Sequence, residues 1–444
     1  MSGGASAGRS PAGAETPDPP TRPATFGEVF AVREFRPLFA TYLLSTIGDE
    51  LARVALTVLV YQRTSSPLLS AVTFAISYLP WLLGGPLLST LADRFPRHRV
   101  LIATDVARAL LVTGMAVPGT PLPALLALLL VVSLCAPPFE SARSALMADV
   151  LDGDRYAVAT SLTNVGSQVA QVVGFALAGA LVAVLEPSTV LLLDAATFAV
   201  SAGWLWGRLQ RRPAPSDGEE DGGPRSVWRD AGEGLRLIAR TPRLRAIIAL
   251  TWVGTLFANA AEGIAAPLVV EDLGEGSTQV GLFLAANPLG VTLGGLVLAR
   301  VLTQARRERL VPALVVLSLA PVLTAGLVTA VGGPGRGAYV LVLVLVFVAG
   351  LGAAWTIPLN VAFVQTVPAA YRGRAFGVAV SGLYAVQGVG VLLAGLLAEG
   401  LRPGVVVALV GGVGLLAVVA PLASYVRTQG HVAPGAPTGG PSVS

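Results

Sequence analysis

The chemistry open to this chain lies in a few charged residues set within long apolar stretches. Asp49 and Glu50 fall near the centre of a run from about 37 to 62, and Arg53 follows four and three residues later. At 3.6 residues per turn that arginine reaches either acid but neutralises only one of them well. Glu262 stands at a comparable height in a later run, and Glu140 with Arg143 in another, just after Pro137-Pro138. An ionisable group at mid-membrane costs about 2.5–3.5 kcal/mol on insertion scales, so it ordinarily faces a cavity. Desolvated carboxyls in such a place can exchange a proton for a substrate; the plainer alternative is static ion pairing between helices. Acids outnumber arginines among these six residues, which favours protons or a lipophilic cation over an anionic substrate.

Enzyme chemistry finds no footing. The chain has two histidines, His98 and His431, and a single cysteine, Cys135. That excludes an intramolecular disulfide and offers neither a Ser/His/Asp set nor a metal-ligating cluster. There is no lysine, hence no Walker loop for ATP hydrolysis. The expectation is a non-enzyme without metal or bound cofactor, driven by a proton gradient or by the substrate's own gradient.

The elements that must position these charges are membrane helices. Of 444 residues 54% are hydrophobic and 13% charged, with a mean hydropathy of +0.71, whereas soluble domains carry about 25% charged residues. Apolar runs long enough to cross a bilayer fall at about 37–62, 67–91, 99–118, 122–148, 157–184 and 188–207. After a polar stretch they resume at about 246–270, 277–301, 310–331, 338–364, 373–399 and 404–426. The predicted fold is an all-α polytopic membrane protein with 12 transmembrane helices in two six-helix bundles. The expected divisions are a disordered tail at 1–34, a first bundle at 35–208, a linker at 209–244, a second bundle at 245–427 and a tail at 428–444. Within the linker, residues 227–244 place Trp228, Ala231, Leu235 and Ile238 on one face, the pattern of an interfacial amphipathic helix.

Arginine sets the orientation. With both termini cytoplasmic, 24 arginines lie inside and 3 outside, a strong positive-inside bias. This topology also accounts for the basic pI without any nucleic acid partner. An arginine-only, Gly- and Ala-rich composition points to a GC-rich bacterial genome, hence the bacterial cytoplasmic membrane; a monomer is expected. The halves repeat each other: Gly166, Gln171, Gly174, Ala178, Gly179 and Leu181 recur 216 residues on as Gly382, Gln387, Gly390, Ala394, Gly395 and Leu397. Duplicated halves are the usual plan of secondary transporters, and small residues at this spacing allow close helix approach.

The loop after the second run reads Ser89-Thr-Leu-Ala-Asp93-Arg94-Phe-Pro96-Arg97-His98-Arg99. It resembles the signature G-x-x-x-D-R-x-G-R-R/K of the major facilitator superfamily, with Ser89 and Pro96 in place of its glycines. The stretches Ser45–Asp49, Asp105–Arg108, Phe139–Leu146, Leu193–Phe198 and Val367–Arg374 resemble the branch that holds macrolide-efflux proteins and the enterobactin exporter. The resemblance implies the major facilitator fold, two pseudo-symmetric bundles around a central cavity, and alternating access. It also implies export of a drug or natural product by proton antiport, that is, multidrug or macrolide efflux. A siderophore or metabolite exporter, an importer, and a receptor or scaffold without turnover are the alternatives.

On this basis Asp93, Arg94, Arg97 and Arg99 form a gating loop, and Gly174 and Gly179 stand in a degenerate antiporter motif, Gly174-Phe-Ala-Leu-Ala-Gly179. Asp105 and Arg108, one turn apart, are expected to pair, and Arg143 to act in gating or to snorkel to headgroups. Arg372 and Arg374 belong to the matching second-half loop. Asp49, Glu50, Arg53, Glu140 and Glu262 line the cavity, with an Arg53–Glu262 pair spanning it. Asn259, Asn360 and Gln365 are expected substrate contacts. Trp81, Trp252 and Trp355 are read as interfacial anchors before drug-stacking walls.

Overall fold

In a bilayer each backbone N–H and C=O must be satisfied within its own segment, so long apolar runs become helices. The structure, a computed structural model, describes residues 24–83, 95–212, 224–368 and 371–429, without the side chains of 82, 83, 224–228 and 230. Asp93 and Arg94 lie outside the described residues. Every regular element among the described residues is helical.

A short helix, Phe26–Ala31, comes first among the described residues and is capped at its N-terminus by a capping box between Thr25 and Glu28. The chain then passes through α1 (Phe35–Thr64), α2 (Pro67–Ile76, resuming at Leu79–Leu83), α3 (Arg97–Met115), α4 (Leu122–Val150), α5 (Asp154–Val184) and α6 (Pro187–Arg208). A linker helix, Pro224–Arg240, leads to α7 (Pro242–Asp272), α8 (Ser277–Val301) and α9 (Gln304–Gly332). The series closes with α10 (Arg336–Thr366), α11 (Arg372–Ala398) and α12 (Pro403–Gln429). Among the described residues nine helices, α4 to α12, are long and apolar enough to span a membrane. The 30-residue α1 has the length but carries Asp49, Glu50 and Arg53 at its middle.

Proline decides where several helices break. The ring removes an N–H and collides with the carbonyl four residues back. Pro80 follows the gap at Ser77-Tyr78, and Pro137-Pro138 follow the gap at Cys135 in α4. Pro421 follows the break at Val418 in α12. The largest irregularity is in α7, where regular helix ends at Ala258 and gives way to a 3₁₀ turn at Ala260–Ile264 and a π turn at Leu268–Asp272. Pro267 sits between them, and Glu262 falls within the 3₁₀ turn.

Packing divides the molecule into two ends. One apolar core joins both halves at the end away from the linker, combining Val54 and Leu56 of α1, Ala71 of α2, Phe175 of α5, Ile264 of α7, Phe283 of α8 and Val391 of α11. At the linker end the cores are separate, with Ile247, Val315 and Phe363 in the second half and Leu101, Phe139 and Leu205 in the first. Lipid tails are as apolar as these side chains, so close packing rather than the hydrophobic effect favours such contacts. Glycine makes the approach feasible: a Cβ on Gly179 of α5 would lie 2.7 Å from Cα of Gly281 on α8. Likewise a Cβ on Gly395 of α11 would strike Ala71 of α2.

The linker helix does not lie free at an interface. Ile238 is buried, Leu235 is exposed, and the helix packs against α7 and α11. Gly234 lies against the Arg374 backbone, and the Glu233 carboxylate accepts from Arg374 at 2.7 Å.

Candidate functional site

Where the halves separate, a cavity of about 830 Å³ opens from mid-height towards the linker end. The first half supplies Arg53, Tyr78, Trp81 and Gln171; the second supplies Asn259, Glu262, Asn287, Trp355, Asn360, Tyr384 and Gln387. Amides, aromatic faces and a carboxylate thus surround a space of the size that holds drug-like ligands. Asn287, Tyr78, Tyr384 and Gln168 were not singled out from the sequence, because isolated Asn, Tyr and Gln residues carry no periodic signal. Gln171 and Gln387 had a signal, the repeat between the halves, and both line this cavity.

Consecutive residues on α1 point about 100° apart, and this parts Asp49 from Glu50. Glu50, 4% exposed, takes Arg53, whose Nη1 lies 2.8 Å from Oε2, and accepts from Gln171 Nε2 at 3.3 Å. A Cβ on Gly174 would lie 2.8 Å from Glu50 Cβ, so this glycine admits the acid between α1 and α5. The expected Arg53–Glu262 pair is therefore not formed: Arg53 binds the acid one turn away on its own helix. Glu262 faces the same cavity but accepts only a long hydrogen bond, 3.4 Å, from the Tyr78 hydroxyl. It is the cavity carboxyl without an arginine partner among the described residues.

Other expectations are corrected in the same way. Arg143 does not snorkel: it is buried, holds Glu140 through two hydrogen bonds, and lies 4.1 Å above the Tyr42 ring. Asp105 and Arg108 do not pair, although i and i+3 permit it. Asp105 accepts from Ser201 on α6, while the Arg108 guanidinium lies between the rings of Phe139 and Phe198 at 5.1 and 5.3 Å. Trp81, Trp252 and Trp355 are not interfacial anchors. Trp81 stacks on Tyr384, Trp252 donates to the Ala379 carbonyl, and Trp355 is 1% exposed and donates to Ser318. Gln365 is exposed and away from the cavity, a turn and a half beyond Asn360.

Of the signature loop, Arg97 bonds Asp149 and the Ala145 carbonyl, which ties the start of α3 to the end of α4, and Arg99 is exposed. Arg372 is exposed, and Arg374 holds the linker helix.

Hydrogen bonds between the halves, among the described residues, all lie at mid-height or at the far end. Tyr61 bonds Glu271; the Glu399 carboxylate of α11 accepts from Ser66 Oγ and, at 3.0 Å, from Leu68 N at the start of α2. A carboxylate there satisfies N–H groups that a helix start leaves open. Nearby, Asp272 closes α7 onto α12, accepting from Gly404 N at 2.6 Å and facing Arg402. Among the described residues the far end is latched shut, and no hydrogen bond joins the halves at the linker end.

A repeated bundle around a central cavity, shut at one end, matches a family model. The model described as Major Facilitator Superfamily matches residues 38–323 and 251–442. The chain belongs to the major facilitator superfamily. It is 27% identical over 375 residues to YfiS, an uncharacterized MFS-type transporter of Bacillus subtilis (strain 168), covering 82% of this chain and 86% of that one. Among solved structures, the nucleoside transporter NupG superposes with a TM-score of 0.70 at 13% identity, over 88% of this chain and 99% of that chain. A POT family transporter in complex with 5-aminolevulinic acid gives 0.72 at 13% identity, over 91% and 98%. These last two likenesses speak for the shared fold alone. The chain is thus a multi-pass membrane transporter of the major facilitator fold.

Proposed function

We propose that this protein is a secondary active exporter of hydrophobic or amphiphilic small molecules, drugs or natural products, which it exchanges for protons. The carrying observation is the cavity between the halves, with aromatic walls and the arginine-free carboxyl of Glu262. Trp81 stacked on Tyr384 offers a flat apolar face, Gln171, Asn259, Asn287 and Gln387 offer hydrogen bonds, and Glu262 favours a cationic group. A cationic substrate and a proton satisfy the same carboxyl, so each can displace the other. The twelve apolar runs support twelve spans, the arginine asymmetry supports cytoplasmic termini, and the arginine-only composition supports a bacterial inner membrane. With that orientation the cavity faces the cytoplasm, where an exporter must load. The resemblance to macrolide-efflux proteins supports the same substrate class.

The test is substrate-evoked proton release from purified, reconstituted protein, screened with macrolides, lipophilic cations and siderophores. Glu262→Gln should abolish release while leaving a folded protein. Binding without proton release in both wild type and Glu262→Gln would refute antiport and leave Glu262 a structural group.

A further inference from the structure

A second chamber, about 360 Å³, adjoins the first, and the mechanism above makes no use of it. Arg53, Ser77, Trp81 and Tyr384 line both spaces and form the partition between them. Behind it, α1 presents Asp49, α3 presents Arg108 and α6 presents Asp194. We propose that this chamber is a proton-binding site separate from the substrate cavity, in which Asp49 and Asp194 share a proton.

Charge and geometry carry the argument. A Cβ at Gly48 would run into the Asp194 carboxylate and the Thr197 hydroxyl, so only glycine there lets Asp194 lie against α1 beside Asp49. Among the described residues Asp194, 1% exposed, has Thr197 as its only side-chain partner, at 3.4 Å, and Asp49 has no hydrogen-bond partner. Asp105 stands behind them at 0% exposure, with Oδ1 unpartnered. Against these three carboxyls stands one cation. Arg108 is 3% exposed and lines the chamber, and among the described residues its Nε has no partner and no carboxylate lies within 4.0 Å of it.

Every other charge on the walls is already neutralised. On α1, Arg53 is taken by Glu50; on α4, Glu140 is taken by Arg143. Tyr42 and Tyr384 line the chamber as neutral phenols, Cys135 lies nearby on α4, and α2 contributes no titratable group. Two buried acids, Asp105 and Asp194, and the half-buried Asp49 around one arginine leave an excess of two negative charges, which a protein interior does not hold without counter-ions. Two carboxyls brought together share a proton rather than both ionise. The proposal stands without the export reading, since it concerns proton occupancy and not flux.

Infrared difference spectroscopy of the full-length protein in lipid tests it. At neutral pH a deuterium-sensitive carboxylic-acid C=O band is expected in the wild type. It should shift and lose amplitude in Asp49→Asn and in Asp194→Asn, because either change removes one partner of the shared proton and lowers the negative excess around Arg108 from two to one, and it should persist in Glu262→Gln. No such band in the wild type overturns the proposal whether or not the variants fold. A band unchanged in position and amplitude in both variants overturns it as well, and a band erased by added sodium would assign the chamber to a metal cation. Absent proton release on substrate addition, with the band present, would instead count against antiport alone.

Discussion

Gly179 sits where α5 of the first half crosses α8 of the second, and a single methyl group there should move the transporter between its states. In Gly179→Ala the new Cβ would lie 2.7 Å from Gly281 Cα, 2.8 Å from the Thr278 carbonyl oxygen and 2.9 Å from Gly281 N. Comfortable carbon–carbon contact needs about 3.5 Å, so the helices must part by roughly 0.8 Å at the crossing. All three obstructing atoms are backbone, and none can swing aside. Overpacking of this kind costs about 1–3 kcal/mol. The cost falls only on the state in which the far end is shut, so the open-to-shut ratio should rise by about 5- to 150-fold. On a Cys135→Ser background, a cysteine reporter at Asn259 in the cavity reads this as faster labelling by an impermeant thiol reagent applied at the far side. Gly281→Ala should act alike, and the double variant should fall short of the sum, because one separation relieves both clashes. Gly203→Ala, whose Cβ meets nothing, should leave the rate unchanged. Unaltered labelling in both crossing variants, or equal acceleration in the Gly203 control, would refute this account of the closed end.

Further outcomes follow from the same contacts. Glu399→Ala combined with Tyr61→Phe removes both inter-half latches at the far end and should raise the same labelling rate, by about 5-fold for each 1 kcal/mol lost; an unchanged rate would show the latches to be idle. Asp272→Asn weakens the acceptor for Gly404 N and leaves Arg402 without its charge partner, a loss of about 1–3 kcal/mol, visible as a lower midpoint in thermal unfolding. Gly234→Ala places a Cβ 2.6 Å from the Arg374 carbonyl oxygen and should undock the linker helix, giving faster amide exchange over residues 224–240; Arg374→Ala should do so more weakly, since the ion pair is partly exposed.

Composition, the spacing of apolar runs and the distribution of arginine carried most of the architecture, because a bilayer admits so few solutions for a polar backbone. The charged residues of α1 and Glu262 were legible as a site, since a mid-membrane charge is too costly to be incidental. The repeat of Gln171 in Gln387 was legible as a duplication of the halves, but only the structure places both on the cavity wall. The linker helix was visible as an amphipathic pattern, yet the pattern does not say which apolar residues meet protein; here the helix packs on α7 and α11 with Ile238 buried and Leu235 exposed.

Partners were not legible. Arg53 had two acids within a turn and a third across the cavity, and sequence spacing ranks them equally; the packing of α5 at Gly174 and the amide of Gln171 hold Glu50 in place for it. Arg108 was assigned to Asp105 by spacing, but the Phe139 and Phe198 rings come from α4 and α6, and no local rule brings them to α3. Asp194 had no assignable role for the same reason: its neighbours Gly48 and Asp49 are nearly 150 residues away in the chain. What the sequence determines by itself is which residues must leave the lipid, because that depends on the polarity of each residue. Which of them meet, which glycines let helices touch, and which end of the bundle stands open are decided only by the tertiary structure, because those depend on helix rotation and on distances between segments far apart in the chain.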